Sequence, residues 1–581
     1  MNFFKMVLAV IVAQIVIVFL FVFGLGIMTA IVSSGSDTVH VADGSWLMID
    51  LYGEIPPYDA PESISGSIFG EPESLADILL NLEKAAADDR LDGVIMKISA
   101  TNSLGLASMD ELRAAVAKVR GSGKPVYAFS DDLDRNALYV ASACDSIFIP
   151  TVADVQFTGY GAVESFYKGT LDKLDIHEQL HKIDEYKTAA EQVQRTDMSP
   201  ENKEMTEWLL KDVWEVQMGA IARDRGMPMD SLVACMEHAL FTAQEAKQAK
   251  LVDRVLYWDE LETRLGLDED ETLIVSSSDY RDVTRADVGL KGNKRIAVVH
   301  AYGVIGGRES RTDAGVGVVI GHETVAENLR AAADDDRVDA IVFRVDSPGG
   351  ESLASQLIAR EVGQINKKKP IIISMGDVAA SGGYAVSYPA TKIVADSLTI
   401  TGSIGSIYGK LNIAGAWKKI GVSFDQVTMG PNGLMWSTVH DFDEAQWKRL
   451  VTFHNASVDE WLAEISAARK IPVEELRGYA EGRVWTGRQA KERKLVDELG
   501  GLSRAIDVAK EAAGIPVDEE VTLEYYPKRH GLYYLLTSGN APITLVRSLV
   551  ARAIRRDAAE TMRMLQRGGE WRLWTGPQTV E

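Results

Sequence analysis

The chain is written twice, and this limits its fold more than any other feature. LYGEI at residues 51–55 returns as AYGVI at 301–305, and AAADDRLDGVIMKIS from Ala85 returns as AAADDDRVDAIVFRVD from Ala331. FTAQEAKQAKLVDRV from Phe241 returns as WTGRQAKERKLVDEL from Trp485. The offsets are 250, 246 to 247 and 244 residues, so the copies are collinear with small insertions. A chain of 581 residues exceeds what one hydrophobic core supports, and here the division into units is a duplication.

Within each copy, short apolar runs of strand length alternate with helical patterns. In the second copy RIAVVHAYGVI, DAIVFRVDS, KPIIISMG and KIVADS read as strands, and ETVAENLRAAADDD and ASQLIAREVGQINKK read as helices between them. That alternation implies parallel strands with crossover helices, an α/β layered fold. The expected domains are residues 46–258 and 295–502, with a joint rich in Asp, Glu and Ser at 259–294 and a helical tail at 503–581.

Residues 6–32 contain no charge and one amide, Gln14. The run is longer than the roughly 20 residues that cross a bilayer and far longer than a signal-peptide core, so a retained transmembrane anchor is expected at 6–33. Lys5 precedes the span and Asp37 follows it, which places residues 1–5 in the cytoplasm and the rest outside. A formal charge of -23 excludes a nucleic-acid partner, which would need a clustered basic surface. Two cysteines, Cys144 and Cys235, supply neither a disulfide framework nor a metal cluster.

The two copies also act as a control on each other. A position kept for folding should be filled in both, whereas a position kept for chemistry need not be. Aligning SMGDVAASGGYAVS from Ser374 with FSDDLDRNALYVAS from Phe129 sets Tyr384 on Tyr139 but Ser381 on Asn136. Ser403 falls on Tyr160, and Lys187 falls near Gly430. Each copy lacks what the other retains, as expected if one active site is built from both.

Ser381 stands in AASGGY, between a strand ending near Ser374 and a helix. Small neighbours let a substrate backbone approach a serine hydroxyl there, and the Gly382 amide can face a developing oxyanion. The DSPGGE turn from Asp346 offers a second amide, from Gly350 or Gly349. A base is harder to find. Lysine has a pKa near 10.4 and serves at neutral pH only when burial lowers it by about 3–5 units. Taken alone, Lys187 in DEYK would be an ordinary solvated lysine. Ser403 in TGSIG has a hydroxyl that could orient an amine. The alternative of a Ser-His-Asp triad has little behind it: none of the nine histidines lies beside a Gly-rich turn, and His177 and His181 have no third metal ligand in sequence.

GDVAASGGY, the SPGG turn, TGSIG, and YKTAAE followed by DMSP at 197–200 together resemble the long, duplicated form of the bacterial signal peptide peptidase A family. The resemblance spans about residues 46–505. It implies tandem Clp/crotonase-like domains, Ser381 as nucleophile, Lys187 as general base and Ser403 orienting the lysine, with Gly382 and Gly350 around the oxyanion. It further implies released signal peptides and similar hydrophobic peptides as substrates, a homotetramer, a catalytic domain on the periplasmic face of the inner membrane, and no cofactor or metal. Two rivals follow from the residues: an acyl-CoA hydratase or isomerase, since crotonase-like folds also bind oxyanions with paired amides, and an inactive peptide-binding scaffold. The basic amphipathic stretch from Ala541 suits an anionic membrane surface or a neighbouring subunit, and equally a C-terminal helix with a solvated arginine face, so it carries no functional expectation.

Overall fold

The computed structural model describes residues 39–58, 73–267, 273–313 and 317–527. In the first copy the strands that position the site are β1 (Ser45–Leu51), β2 (Leu91–Ile98), β3 (Val126–Phe129), β4 (Ser146–Ile149), β5 (His177–Lys182), β6 (Arg254–Val255) and β7 (Ile274–Ser276). All but β5 form one parallel sheet in the order β7-β1-β2-β3-β4-β6. The second copy supplies β8 (Lys294–Tyr302), β9 (Ala340–Ser347), β10 (Ile371–Ala380), β11 (Lys392–Ala395), β12 (Ile400–Gly402), β13 (Ile407–Asn412), β14 (Val484–Thr486), β15 (Glu498–Leu499) and β16 (Val521–Tyr526). Its sheet runs β14-β12-β10-β9-β8-β16, with β11 beside β10 and β15 beside β11. Only the β12–β14 pairing in that sheet is antiparallel. The helices used below are α1 (Leu106–Gly121), α2 (Pro200–Arg225), α3 (Gly382–Ala385), α4 (Glu444–Arg469) and α5 (Leu502–Ala512).

The near-continuous apolar strands are explained by burial on both faces, the rule for parallel sheets. Successive residues of β8 and β9 alternate between two cores: Ala297, Val299, Ile341 and Phe343 enter one, while Ile296, Val298, Ala340 and Val342 enter the other. The second of these cores is closed by α5 through Leu502, Ala505, Val508 and Ala509.

Two segments do more than their composition suggested. Ile274–Ser276, inside the stretch read as a joint, pairs with β1 and covers an edge that would otherwise expose unpaired backbone groups. Past α5, the segment read as a helical tail turns into β16 and pairs with β8, so residues through Tyr526 belong to the second sheet. The expected anchor at 6–33 and the basic stretch from Ala541 lie outside the described residues. Among the described residues no helix is long and apolar enough to cross a membrane.

Some paired interactions occur in both copies. Arg225 and Asp253 are matched by Arg469 and Asp497, and each carboxylate also accepts a strand N–H, from Ile147 or Ile393. The copies are also joined to each other. Strand β5 pairs antiparallel with β13, placing a first-copy strand against the second copy. Helix α1 is preceded at its N-cap by Gly105, which has no side chain to cap it. Asp377 on β10 does that work instead, accepting the Ser108 N–H at 2.9 Å and its hydroxyl at 2.5 Å. Farther along α1, Glu111 pairs at 2.6 Å with Arg344 of β9, and both are buried. Removing one partner of such a pair strands the other charge. Glu111→Ala is therefore expected to lower stability by about 3–5 kcal/mol in urea unfolding; a loss below about 1 kcal/mol would mean that water reaches Arg344.

Candidate active site

Strand β10 runs six residues beyond the end expected from its apolar run, up to Ala380. The pairing with β9 shifts register between Val345 and Ser347, and the half-buried Asp346 carboxylate accepts the Asp377 and Val378 amides at 3.3 and 3.1 Å. Burial, and then the neighbouring Asp377, push the Asp346 pKa up to about 7. This clamp carries the strand directly into Ser381.

Ser381 precedes α3 with φ 53° and ψ -113°, a conformation that costs free energy for any residue with a Cβ and persists only where its surroundings impose it. Its N–H donates to the Gly402 carbonyl at 2.8 Å. The side chain is half-buried, at a sharp strand-to-helix turn.

The SPGG turn lies against this corner. Gly349 and Gly350 have φ of 106° and 149°, backbone that side chains rarely adopt. A Cβ on Gly349 would come within 2.7 Å of the Gly382 nitrogen, and one on Gly382 within 3.2 Å of the Gly350 nitrogen. The Gly349 N–H donates to Ser347 Oγ at 3.1 Å. Ile305 brackets the next residue, donating to the Gly349 carbonyl and accepting from the Glu351 N–H, both at 2.8 Å. The Gly350 and Gly382 amides are left without a hydrogen bond among the described residues. Of the two candidates on this turn, Gly350 is thus the one with a free donor.

Lys187 reaches this corner from the first copy. Strand β5 ends at Lys182 and the Ile183 N–H donates to the Ser406 carbonyl at 3.0 Å, so the β5–β13 ribbon delivers the following loop to the second copy. The Lys187 Nζ lies 3.2 Å from Ser381 Oγ, 2.7 Å from Ser403 Oγ and 2.9 Å from the Ser403 carbonyl. Lys187 is 6% exposed, and burial lowers its pKa to about 7. A neutral amine has two N–H donors and one lone pair. If the donors serve the two Ser403 oxygens, the lone pair is left for the Ser381 hydroxyl proton.

All five candidate residues, Ser381, Lys187, Ser403, Gly382 and Gly350, therefore meet in one place. Among the described residues no histidine hydrogen-bonds to Ser381, Lys187 or Ser403. His454 bonds Ser406 Oγ through Nε2 at 2.5 Å and His181 through Nδ1 at 2.8 Å. Sequence reasoning missed Gly482, which has φ 77° and on which a Cβ would fall 2.5 Å from the Lys187 Cβ and 2.6 Å from its Cα. The lysine backbone rests on that glycine. A signal existed: Gly482 and Arg483 stand just before the third repeated stretch, where the first copy has His238 and Ala239.

Comparison with known proteins gives the same assignment at the level of family. The model for peptidase family S49 matches twice, at residues 118–270 and 364–516. The chain is 32% identical to "Serine protease SPPA, chloroplastic" of Arabidopsis thaliana over 83% of its own length and 71% of that protein. It is 30% identical to "Protease 4" of Salmonella typhi over 88% of its own length and 84% of that protein. "Putative signal peptide peptidase SppA" of Enterococcus faecium is 33% identical over a shorter match, 32% of this chain and 55% of that protein. With a double match to the family model and these long alignments, the chain belongs to peptidase family S49 and is a serine peptidase with that family's domain present in duplicate.

Proposed function

We propose that the protein is a membrane-anchored endopeptidase that degrades released signal peptides and similar hydrophobic peptides through a Ser-Lys dyad. The observation that carries the reading is the approach of Lys187 Nζ to 3.2 Å from Ser381 Oγ with Ser403 holding the amine from its other side. Ser381 attacks the scissile carbonyl carbon while Lys187 takes its proton. The oxyanion that forms accepts the Gly382 and Gly350 N–H groups, and its collapse expels the leaving amine, which receives the proton back from Lys187. Water, deprotonated by the same lysine, then releases the acyl group from Ser381.

Support for the substrate class comes from the anchor expected at residues 6–33, which would hold the site near cleaved apolar segments, and from the family relatives. Placement on the periplasmic face of the inner membrane rests on Lys5 before that span and the acidic residues after it. Assembly as a tetramer is supported by the resemblance and by apolar side chains that one protomer leaves open, among them Val427 at 99% and Met429 at 98% exposure.

The reading sets a pH dependence. Only the neutral amine can accept a proton, and burial brings its pKa to about 7. The profile of kcat/KM should therefore fall tenfold per unit below about pH 7 and level above it. An acid limb centred near pH 4 would assign the ionisation to a carboxylate and overturn the lysine's role.

A further inference from the structure

Lys187 sits where no regular ladder holds it. It has φ -78° and ψ 69° and precedes a 3-10 turn of only three residues, Thr188–Ala190. Its main chain depends on the second copy, and two consecutive residues there provide the contact. Gly482 supplies the space under Lys187, and its N–H donates to the Ile404 carbonyl at 2.9 Å. Arg483 is the more unusual of the two. Its carbonyl accepts the Ser403 N–H at 2.7 Å, fixing the residue whose hydroxyl and carbonyl hold the lysine amine. Its guanidinium lies over the Tyr186 ring at 3.5 Å, with Trp208 at 5.0 Å and Trp485 at 5.3 Å around it.

A cation placed this way is not explained by ion pairing. The Arg483 side chain is 11% exposed, Glu481 stands 3.9 Å away, and the buried Nε has no hydrogen-bond partner among the described residues. The aromatic faces are what compensate the guanidinium, and such contacts strengthen as water is removed. Tyr186 and Trp208 belong to the first copy, Arg483 and Trp485 to the second. One residue thus grips Ser403 through its backbone and the neighbour of Lys187 through its side chain.

We propose that Arg483 is a positioning residue: clasped by Tyr186, Trp208 and Trp485, it locks the first-copy lysine loop onto the second copy and keeps water from the Lys187 amine. The inference rests on the Ser-Lys reading above. A lysine whose loop is released gains water and regains its ordinary basicity, so opening the clasp moves the acid limb of the pH profile upward. A purely structural role would lower the folded fraction at every pH and leave that limb in place.

The test is the kcat/KM profile of the full-length, detergent-solubilised protein between pH 6 and 10, with thermal stability measured alongside. Variants are Arg483→Met, Arg483→Lys, Tyr186→Leu, Tyr186→Phe and the Met/Leu double variant. Arg483→Met and Tyr186→Leu are each expected to raise the limb by at least about one unit, reducing turnover at pH 7 about fivefold for the first unit and about tenfold for each further one and recovering it above about pH 9. Tyr186→Phe, which keeps the ring face and loses only the exposed hydroxyl bond to Glu204 at 2.9 Å, should leave the limb where wild type has it, and Arg483→Lys should restore most of the loss. The double variant should be no worse than either single change, since both open one clasp. An unmoved limb in Arg483→Met, or fully additive losses in the double variant, overturns the inference. If the wild type has no limb near pH 7, or Lys187→Ala keeps that limb, it is the Ser-Lys reading that falls.

Discussion

Lys187→Ala is expected to reduce hydrolysis of a leucine-rich peptide by about a thousandfold or more, as does removal of the base in other serine peptidases. Its fold should survive. The wild-type amine is buried with its pKa lowered to about 7. In the unfolded chain the same amine would be charged and solvated, so holding it neutral costs roughly 4 kcal/mol at neutral pH. Because the folded pKa lies below the unfolded one, the penalty fades as pH rises from 7 toward 10.5. Alanine removes it, and the variant should unfold at the same temperature as wild type or higher at pH 7. Lost activity together with preserved or raised Tm separates a chemical role from a structural one, whereas a collapse of Tm would make Lys187 a packing residue.

The second large effect is expected at Gly350. Its φ of 149° and the Ile305 carbonyl, which an added methyl would strike, leave no room for a side chain. Gly350→Ala must displace the turn and with it the free N–H, whose nitrogen lies close to Gly382. Loss of one oxyanion donor costs about 10²–10³ in kcat. The loss should appear in kcat with KM little changed, because the interaction forms only as charge develops on the oxygen. Near-normal kcat in Gly350→Ala would remove this amide from the oxyanion site.

Much of this site was legible because the duplication supplies its own comparison. Residues that hold each copy together recur, as Arg225 and Asp253 do in Arg469 and Asp497. Ser381 and Lys187 do not recur, and the structure brings them within 3.2 Å across 194 positions of sequence. What remained hidden depended on contacts between the copies. Nothing local marks Asp377 as the cap of a first-copy helix, and the apolar run of β10 gave no sign that Asp346 would clamp six further residues into the strand. Beyond its place before the third repeated stretch, nothing in the sequence around Arg483 sets it apart from the other arginines. Its significance comes from three aromatic rings contributed by distant segments. The strand Val521–Tyr526 carries a readable signal in its β-branched and aromatic residues, VTLEYY, whereas Ile274–Ser276 is only three residues long and depends on the edge it covers.

The central claim is that one copy supplies the nucleophile and the other activates it. It is tested most directly by stopping turnover of a hydrophobic peptide ester on the millisecond scale and mapping the acyl group by mass spectrometry, in wild type and in Lys187→Ala. The account requires the acyl group on Ser381 in wild type, and formation slower by about a thousandfold or more in the variant. Acylation of any other residue, or equal rates in the two proteins, would contradict it.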